Sequence, residues 1–146
     1  MNTKKNSVSV LQVNFDDKKL IDKIFEIRNQ VFVVEQNVDP SEEYEFEESS
    51  IHFLLFEDKN ACATARYRKT EKGIKLERFA VLKQYRKKGY GNKILKRILE
   101  ELKNNEDVIY LHAQVQVVDF YKKQGFIKKG DIFSEAGIQH YKMIYN

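Results

Sequence analysis

The chain has 146 residues, 42% hydrophobic and 12% aromatic, with 26 basic against 22 acidic residues and a formal net charge of +4. That is enough apolar material for one core, and it excludes global disorder, which goes with few aromatics. A single Cys excludes an intrachain disulfide and argues against a cysteine-based zinc site, and no apolar run approaches the ~18 residues of a membrane span.

The charge suits an anionic ligand but is weak ground for nucleic-acid binding. Residues 1–6 are charged, yet no apolar stretch follows them, so they do not read as a signal peptide. The expectation is one cytoplasmic domain over residues 1–146, with no membrane or nucleic-acid partner and no metal.

Val8 to Phe15 reads as a strand with a break in its alternation, and Asp16 or Asp17 can cap the helix that follows. Leu20 to Phe32 carries apolar residues on one helical face. Pro40 closes that region. Residues 42–48 read as an acidic loop with two aromatics. Ile51–Phe56, Ala61–Arg68 and Ile74–Val81 are three strands joined by turns at Asp58-Lys59-Asn60 and Glu71-Lys72-Gly73.

A basic, glycine-containing segment at residues 84–91 then leads into a helix with its stripe at Ile94, Leu95, Ile98, Leu99 and Leu102. Val108 to Ala113 is a buried strand. Gln116 to Gln124 is a short helix with Gly125 at its C-cap. Strands near Phe126–Phe133 and Ile138–Tyr145 end the chain. The order implies an α/β fold with a mixed sheet, and its strand–helix–strand unit over residues 74–113 should hold the parallel pairing.

The chemistry-bearing segment is Arg86-Lys87-Lys88-Gly89-Tyr90-Gly91-Asn92, where a strand gives way to a helix. The first N–H groups of a helix lack internal partners and sit at the positive end of its dipole. Two glycines clear the approach to that backbone, so the segment reads as a phosphate cradle. The spacing fits neither a Walker A loop nor a dinucleotide fingerprint. The basic side chains could otherwise be a solvated turn.

The pattern Arg-x-x-Gly-x-Gly at Arg86–Gly91, with Asp119-Phe120-Tyr121-Lys122-Lys123-Gln124-Gly125-Phe126 downstream, resembles the GNAT superfamily of acyl-coenzyme A-dependent N-acyltransferases. The resemblance extends to its ElaA-like and YjcF-like branch through Ile27-Arg28, Val31-Phe32-Val33, Glu35-Gln36, His52-Phe53-Leu54, Ala63-Thr64-Ala65-Arg66, Glu77–Val81, Leu111-His112-Ala113-Gln114 and Glu135–His140. It implies the GNAT fold, a mixed, mostly antiparallel sheet of about seven strands with about four helices, splayed between strands 4 and 5.

It also implies acetyl-CoA as acyl donor, acting on a primary amine of a small molecule or peptide. The pantetheine arm would bond the backbone of Phe79, Ala80 and Val81. The pyrophosphate would sit on Arg86, Lys87, Lys88, Gly89, Tyr90 and Gly91, with Asn92 just beyond.

Tyr121 resembles the family's acid. A phenol of pKa ~10 can protonate a thiolate whose acid has a pKa of about 8.5. The base is open among Glu77, His112, His52 and none at all. Alternation along the strand would put Glu77 on the face of Phe79 and Val81. Arg28, Glu35, Gln36, His52, His112 and Gln114 are candidate substrate contacts. Arg28 and Glu35 could equally form a helix ion pair, and residues 42–48 could form an acidic wall for a cationic amine. A catalytically idle coenzyme A-binding module on the same fold is the alternative. The family often dimerises through its C-terminal strands, so a homodimer is open as well.

Overall fold

The computed structural model describes residues 7–146; the reading of residues 1–6 lies outside them. Seven strands form one sheet in the order β1-β2-β3-β4-β5-β7-β6. They are β1 (Val8–Val13), β2 (Ile51–Glu57), β3 (Asn60–Thr70), β4 (Gly73–Val81), β5 (Ile109–Gln114), β6 (Phe126–Glu135) and β7 (Ile138–Tyr145). The four α-helical segments among the described residues are α1 (Lys18–Arg28), α2 (Pro40–Glu43), α3 (Tyr90–Glu101) and α4 (Val118–Lys123).

The chain divides into two compact units, residues 1–66 with 78–104 and residues 67–77 with 105–146. In the first, β1 pairs antiparallel with β2. The Asp17 carboxylate caps α1 by accepting from the Leu20 N–H. Ile21, Ile24 and Ile27, at helical spacing, bury one face of α1 against Val13, Leu54 and Ala80. The helical path continues past Arg28 as a π-helical stretch, Asn29–Glu35.

Pro40 does not close this region but starts α2. It occupies the first helical position, where its missing N–H costs nothing, behind Asp39 as N-cap. Glu42 and Glu43 therefore belong to a helical turn rather than to a loop. Along β2, Leu54 packs in the α1 cluster, while the Arg97 guanidinium of α3 lies 5.4 Å over the Phe53 ring. The strand is thus covered on both faces, which explains its unbroken apolar run.

In the second unit, β4 and β5 pair in parallel through Ile74–Leu76 and Ile109–Leu111, as the strand–helix–strand unit requires. Gly73 has φ +133°, and a Cβ there would lie 2.2 Å from the Val108 carbonyl oxygen, so the position admits only glycine. β7 pairs antiparallel with both β5 and β6. The β6–β7 connection is two residues, Ala136 and Gly137, both with positive φ, the pattern of a type I′ hairpin turn. The helix expected over residues 116–124 is split: a 3₁₀ turn at Val115–Val117 precedes α4.

Candidate active site

In the first unit, β4 runs into Leu82, a 3₁₀ turn at Lys83–Tyr85, and then the basic segment. The Leu82 N–H donates to the Cys62 carbonyl and fixes the exit of the strand. Gly89, at φ +78°, is the N-cap of α3, and no side chain caps that end. A Cβ on Gly89 would meet nothing within 4 Å, so the space in front of the first turn is open. The buried Oδ1 of Asn92, in the same turn, has no hydrogen-bond partner among the described residues. Uncapped amides at the positive end of a twelve-residue helix and the open space before them fit the phosphate end of coenzyme A; the Asn92 Oδ1 only accepts, so it would take a donor rather than a phosphate oxygen.

The three basic side chains are not equivalent. Arg86 donates to the Val81 carbonyl at 2.9 Å and to Glu35 at 2.8 Å. Lys88 pairs with Glu57 at 3.0 Å. Lys87, at φ +66°, has no ion pair among the described residues. Glu35 is thus the partner of Arg86, not of Arg28, and the helix ion pair between Arg28 and Glu35 does not form.

Arg28 is 1% exposed. Its Nε donates to Glu43 at 2.9 Å, and Nη1 and Nη2 each reach Glu47 at 2.8 Å. Arg66 also bonds Glu47, and Arg78 lies 3.4 Å from Glu43. The acidic stretch therefore does not present a continuous acidic wall: Glu43 and Glu47 turn inward onto arginines, leaving Glu42, Glu45 and Glu48 exposed. Burial raises the Glu43 carboxyl above its usual range in spite of Arg28. Burial acts the same way on Glu47, but Arg28 and Arg66 outweigh it and hold that carboxyl low.

His52, fully buried, shares this cluster, with Nε2 2.9 Å from the Glu47 carbonyl and Nδ1 without a partner among the described residues. Burial lowers its pKa and keeps it neutral. Arg28 and His52 are thus interior groups. Gln36 is half-buried just past the π-helical stretch.

On β4, Phe79 and Val81 are half-buried and Ala80 is buried. Arg78 takes φ +59° inside the strand. A left-handed residue breaks the period-two alternation, so Glu77 is not related to Phe79 as simple alternation would have it. The Glu77 carboxylate is bonded by Arg68 at 2.6 Å and lies 3.3 Å from Lys75.

In the second unit, Tyr121 is buried on α4, its ring edge-on to Phe120 and Phe126. Burial pushes its hydroxyl above the usual phenol range, so it stays protonated. Gln114 accepts from Gln116 at 2.6 Å. His112, half-buried on β5, places Nδ1 3.2 Å from Glu135.

The acetyltransferase (GNAT) domain family matches residues 13–146. The chain belongs to the GNAT acetyltransferase family. It is 37% identical over 123 residues to the uncharacterized N-acetyltransferase YjcF of Bacillus subtilis, covering 82% of this chain and 88% of that protein. An acyl-CoA N-acyltransferase from Pseudomonas aeruginosa superposes with a TM-score of 0.86 at 22% identity, over 96% of this chain and all of that one. Escherichia coli ElaA gives 0.84 at 24%, over 96% and 99%. Those two structures show the fold.

Within this GNAT chain, sequence reasoning missed Glu57, which bonds Lys88 and the Tyr90 hydroxyl beneath the start of α3. An acid closing an otherwise apolar strand was the available signal. A cleft of about 550 Å³ lies in the first unit between α1, the β2–β3 turn and Leu82–Tyr85. It stops short of Arg86–Asn92. No helix among the described residues is long and apolar enough to cross a membrane.

Proposed function

We propose that this GNAT protein is an acetyl-CoA-dependent N-acetyltransferase that moves an acetyl group directly to a primary amine of a small molecule or peptide in the cytoplasm. The observation that carries the reading is the uncapped, open start of α3 behind Gly89 in a chain of this family. The first-turn amides and Lys87 hold the pyrophosphate, and Arg86 and Lys88, each already paired with a carboxylate, shape the loop around it. The backbone of Phe79, Ala80 and Val81 bonds the pantetheine arm.

The amine nitrogen forms a bond to the thioester carbonyl carbon as the carbon–sulfur bond breaks. Tyr121 gives its proton to the departing sulfur; burial keeps the phenol protonated until that step. Glu77, the carboxylate that the sequence offered as base, would have to accept a proton while bonded to Arg68.

The test is thiol release from acetyl-CoA with spermidine, tyramine and an alanine-led hexapeptide as amine probes. Amine-dependent release is expected, with Tyr121→Phe slower by about 10²-fold and unchanged in acetyl-CoA affinity. Tight acetyl-CoA binding without release for any probe would instead favour an idle coenzyme A-binding module.

A further inference from the structure

Three strands of the second unit bring titratable groups to one face of the sheet. The tight Ala136-Gly137 turn fixes Glu135 opposite Ile138 and Phe133 opposite His140. β7 in turn sets His140 opposite Gln114 and Lys142 opposite His112. Glu135 thereby reaches His140 on β7 and, across that strand, His112 on β5: Oε1 lies 3.2 Å from His112 Nδ1, and Oε2 lies 3.8 Å from His140 Nε2.

The two histidines differ in what they leave free. His140 is buried, bonds the Ile138 carbonyl through Nδ1 at 2.7 Å and stacks on Phe133. His112 stands edge-on to Phe133 with centroids 4.9 Å apart, and its side chain keeps 24% of its surface exposed. Its Nε2 has no hydrogen-bond partner among the described residues.

Resting on the acyl-transfer reading above, we propose that His112 is the general base of that reaction, taking the amine proton at Nε2, and that Glu135 is its positioning residue. The pairing sets the tautomer. An ionised carboxylate only accepts, and the hydrogen bond from His112 holds the Glu135 carboxyl below its usual range. Nδ1 therefore carries the hydrogen, and Nε2 presents its lone pair. A half-exposed His–Glu pair adds little to stability, so its geometry is better explained by proton transfer than by folding. Glu77 is held by two cations, and His52 is sealed in the interior, whereas His112 is reachable and keeps one nitrogen unengaged.

The step balances. The amine proton passes to Nε2 as the nitrogen–carbon bond forms, the Tyr121 proton goes to the leaving sulfur, and solvent exchange returns both groups to their starting state. The groups facing His112 are Glu135 from β6, His140 and Lys142 from β7, and Tyr110 from its own strand, with Lys75 of β4 acting on Glu135.

The experiment measures kcat/KM for thiol release against pH, with the best of spermidine, tyramine and the hexapeptide, alongside the acetyl-CoA Kd. His112→Ala should lower kcat/KM by about 10²–10³-fold and leave the Kd unchanged. It should abolish the acid limb, and added imidazole should restore part of the rate. Glu135→Gln should lower kcat/KM by a smaller factor than His112→Ala, and added imidazole should not restore it, because the imidazole stays in place but loses the acceptor that fixes its tautomer.

Wild-type rates in both variants would overturn the assignment, as would a loss in His112→Ala that follows a loss of acetyl-CoA binding. A wild-type protein that releases thiol with no probe would overturn the acyl-transfer reading itself, a failure distinct from that of the base.

Discussion

The Tyr90 hydroxyl donates a hydrogen bond to the Glu57 carboxylate, and both side chains are buried. Tyr90 is the first residue of α3 and Glu57 the last of β2, so one bond pins the helix start to the end of a strand. The same carboxylate oxygen receives Lys88 at 3.0 Å. The loop in front of α3 is thereby held in shape from beneath. The bond to Glu57, with burial, pushes the Tyr90 hydroxyl up to about 12, so the donor persists across the working pH range.

Removing that hydroxyl with Tyr90→Phe should cost about 1.5–3 kcal/mol in urea unfolding, the range for a hydrogen bond to a charged group. Glu57→Gln and the double variant complete a mutant cycle. The two losses should be markedly less than additive, because each change breaks the same bond. Additive losses would show that the pair is not coupled.

Arg28 is the hub of the interior ion cluster, with Glu43 and Glu47 as its partners. Arg28→Met leaves Glu43, 2% exposed, without its nearest cation. The expected loss is about 3–5 kcal/mol. Glu42→Gln and Glu48→Gln, whose side chains face solvent, should each stay within about 0.5 kcal/mol of wild type. Denaturant midpoints separate the buried arginine from the outward acids, and equal effects in all three variants would contradict the cluster.

His52 gives stability a pH dependence whose sign follows from burial. Its folded-state pKa lies below the ordinary value of about 6.5, so the unfolded chain takes up the proton first as pH falls. Its contribution is complete above about pH 6.5 and is lost as the pH drops toward the folded value, at up to ~1.4 kcal/mol per pH unit. His52→Gln should therefore flatten the fall in stability between about pH 7 and pH 5.5, read from unfolding curves at each pH. An unchanged slope would place the titrating group elsewhere.

The parts of this protein that sequence reading reached are those encoded locally. The α1 and α3 stripes, the strand at Ile138–Tyr145 and the Gly89–Gly91 spacing each lie within a short window, where periodicity and glycine geometry act directly. What escaped was set by distant partners. Whether Glu43 faces water or Arg28 depends on a contact 15 residues away, and Glu57 meets Lys88 across 31. Arg78 at positive φ has no local signal, since arginine does not favour that region. The continuation of α1 into a π-helical stretch kept the same apolar residues and so read as more helix. The Glu135–His112 contact crosses an intervening strand whose register only the folded hairpin defines.

The central claim is that the start of α3 binds the phosphate end of acetyl-CoA, and the most direct measurement is a calorimetric titration with acetyl-CoA, using ATP as a control. One-to-one binding on the order of micromolar, unmatched by ATP, is predicted. Gly89→Val should weaken it about tenfold or more, since a branched residue resists φ +78° and fills the open space before the helix. No binding by the wild type, equal binding of ATP, or an unchanged affinity in Gly89→Val would contradict the account.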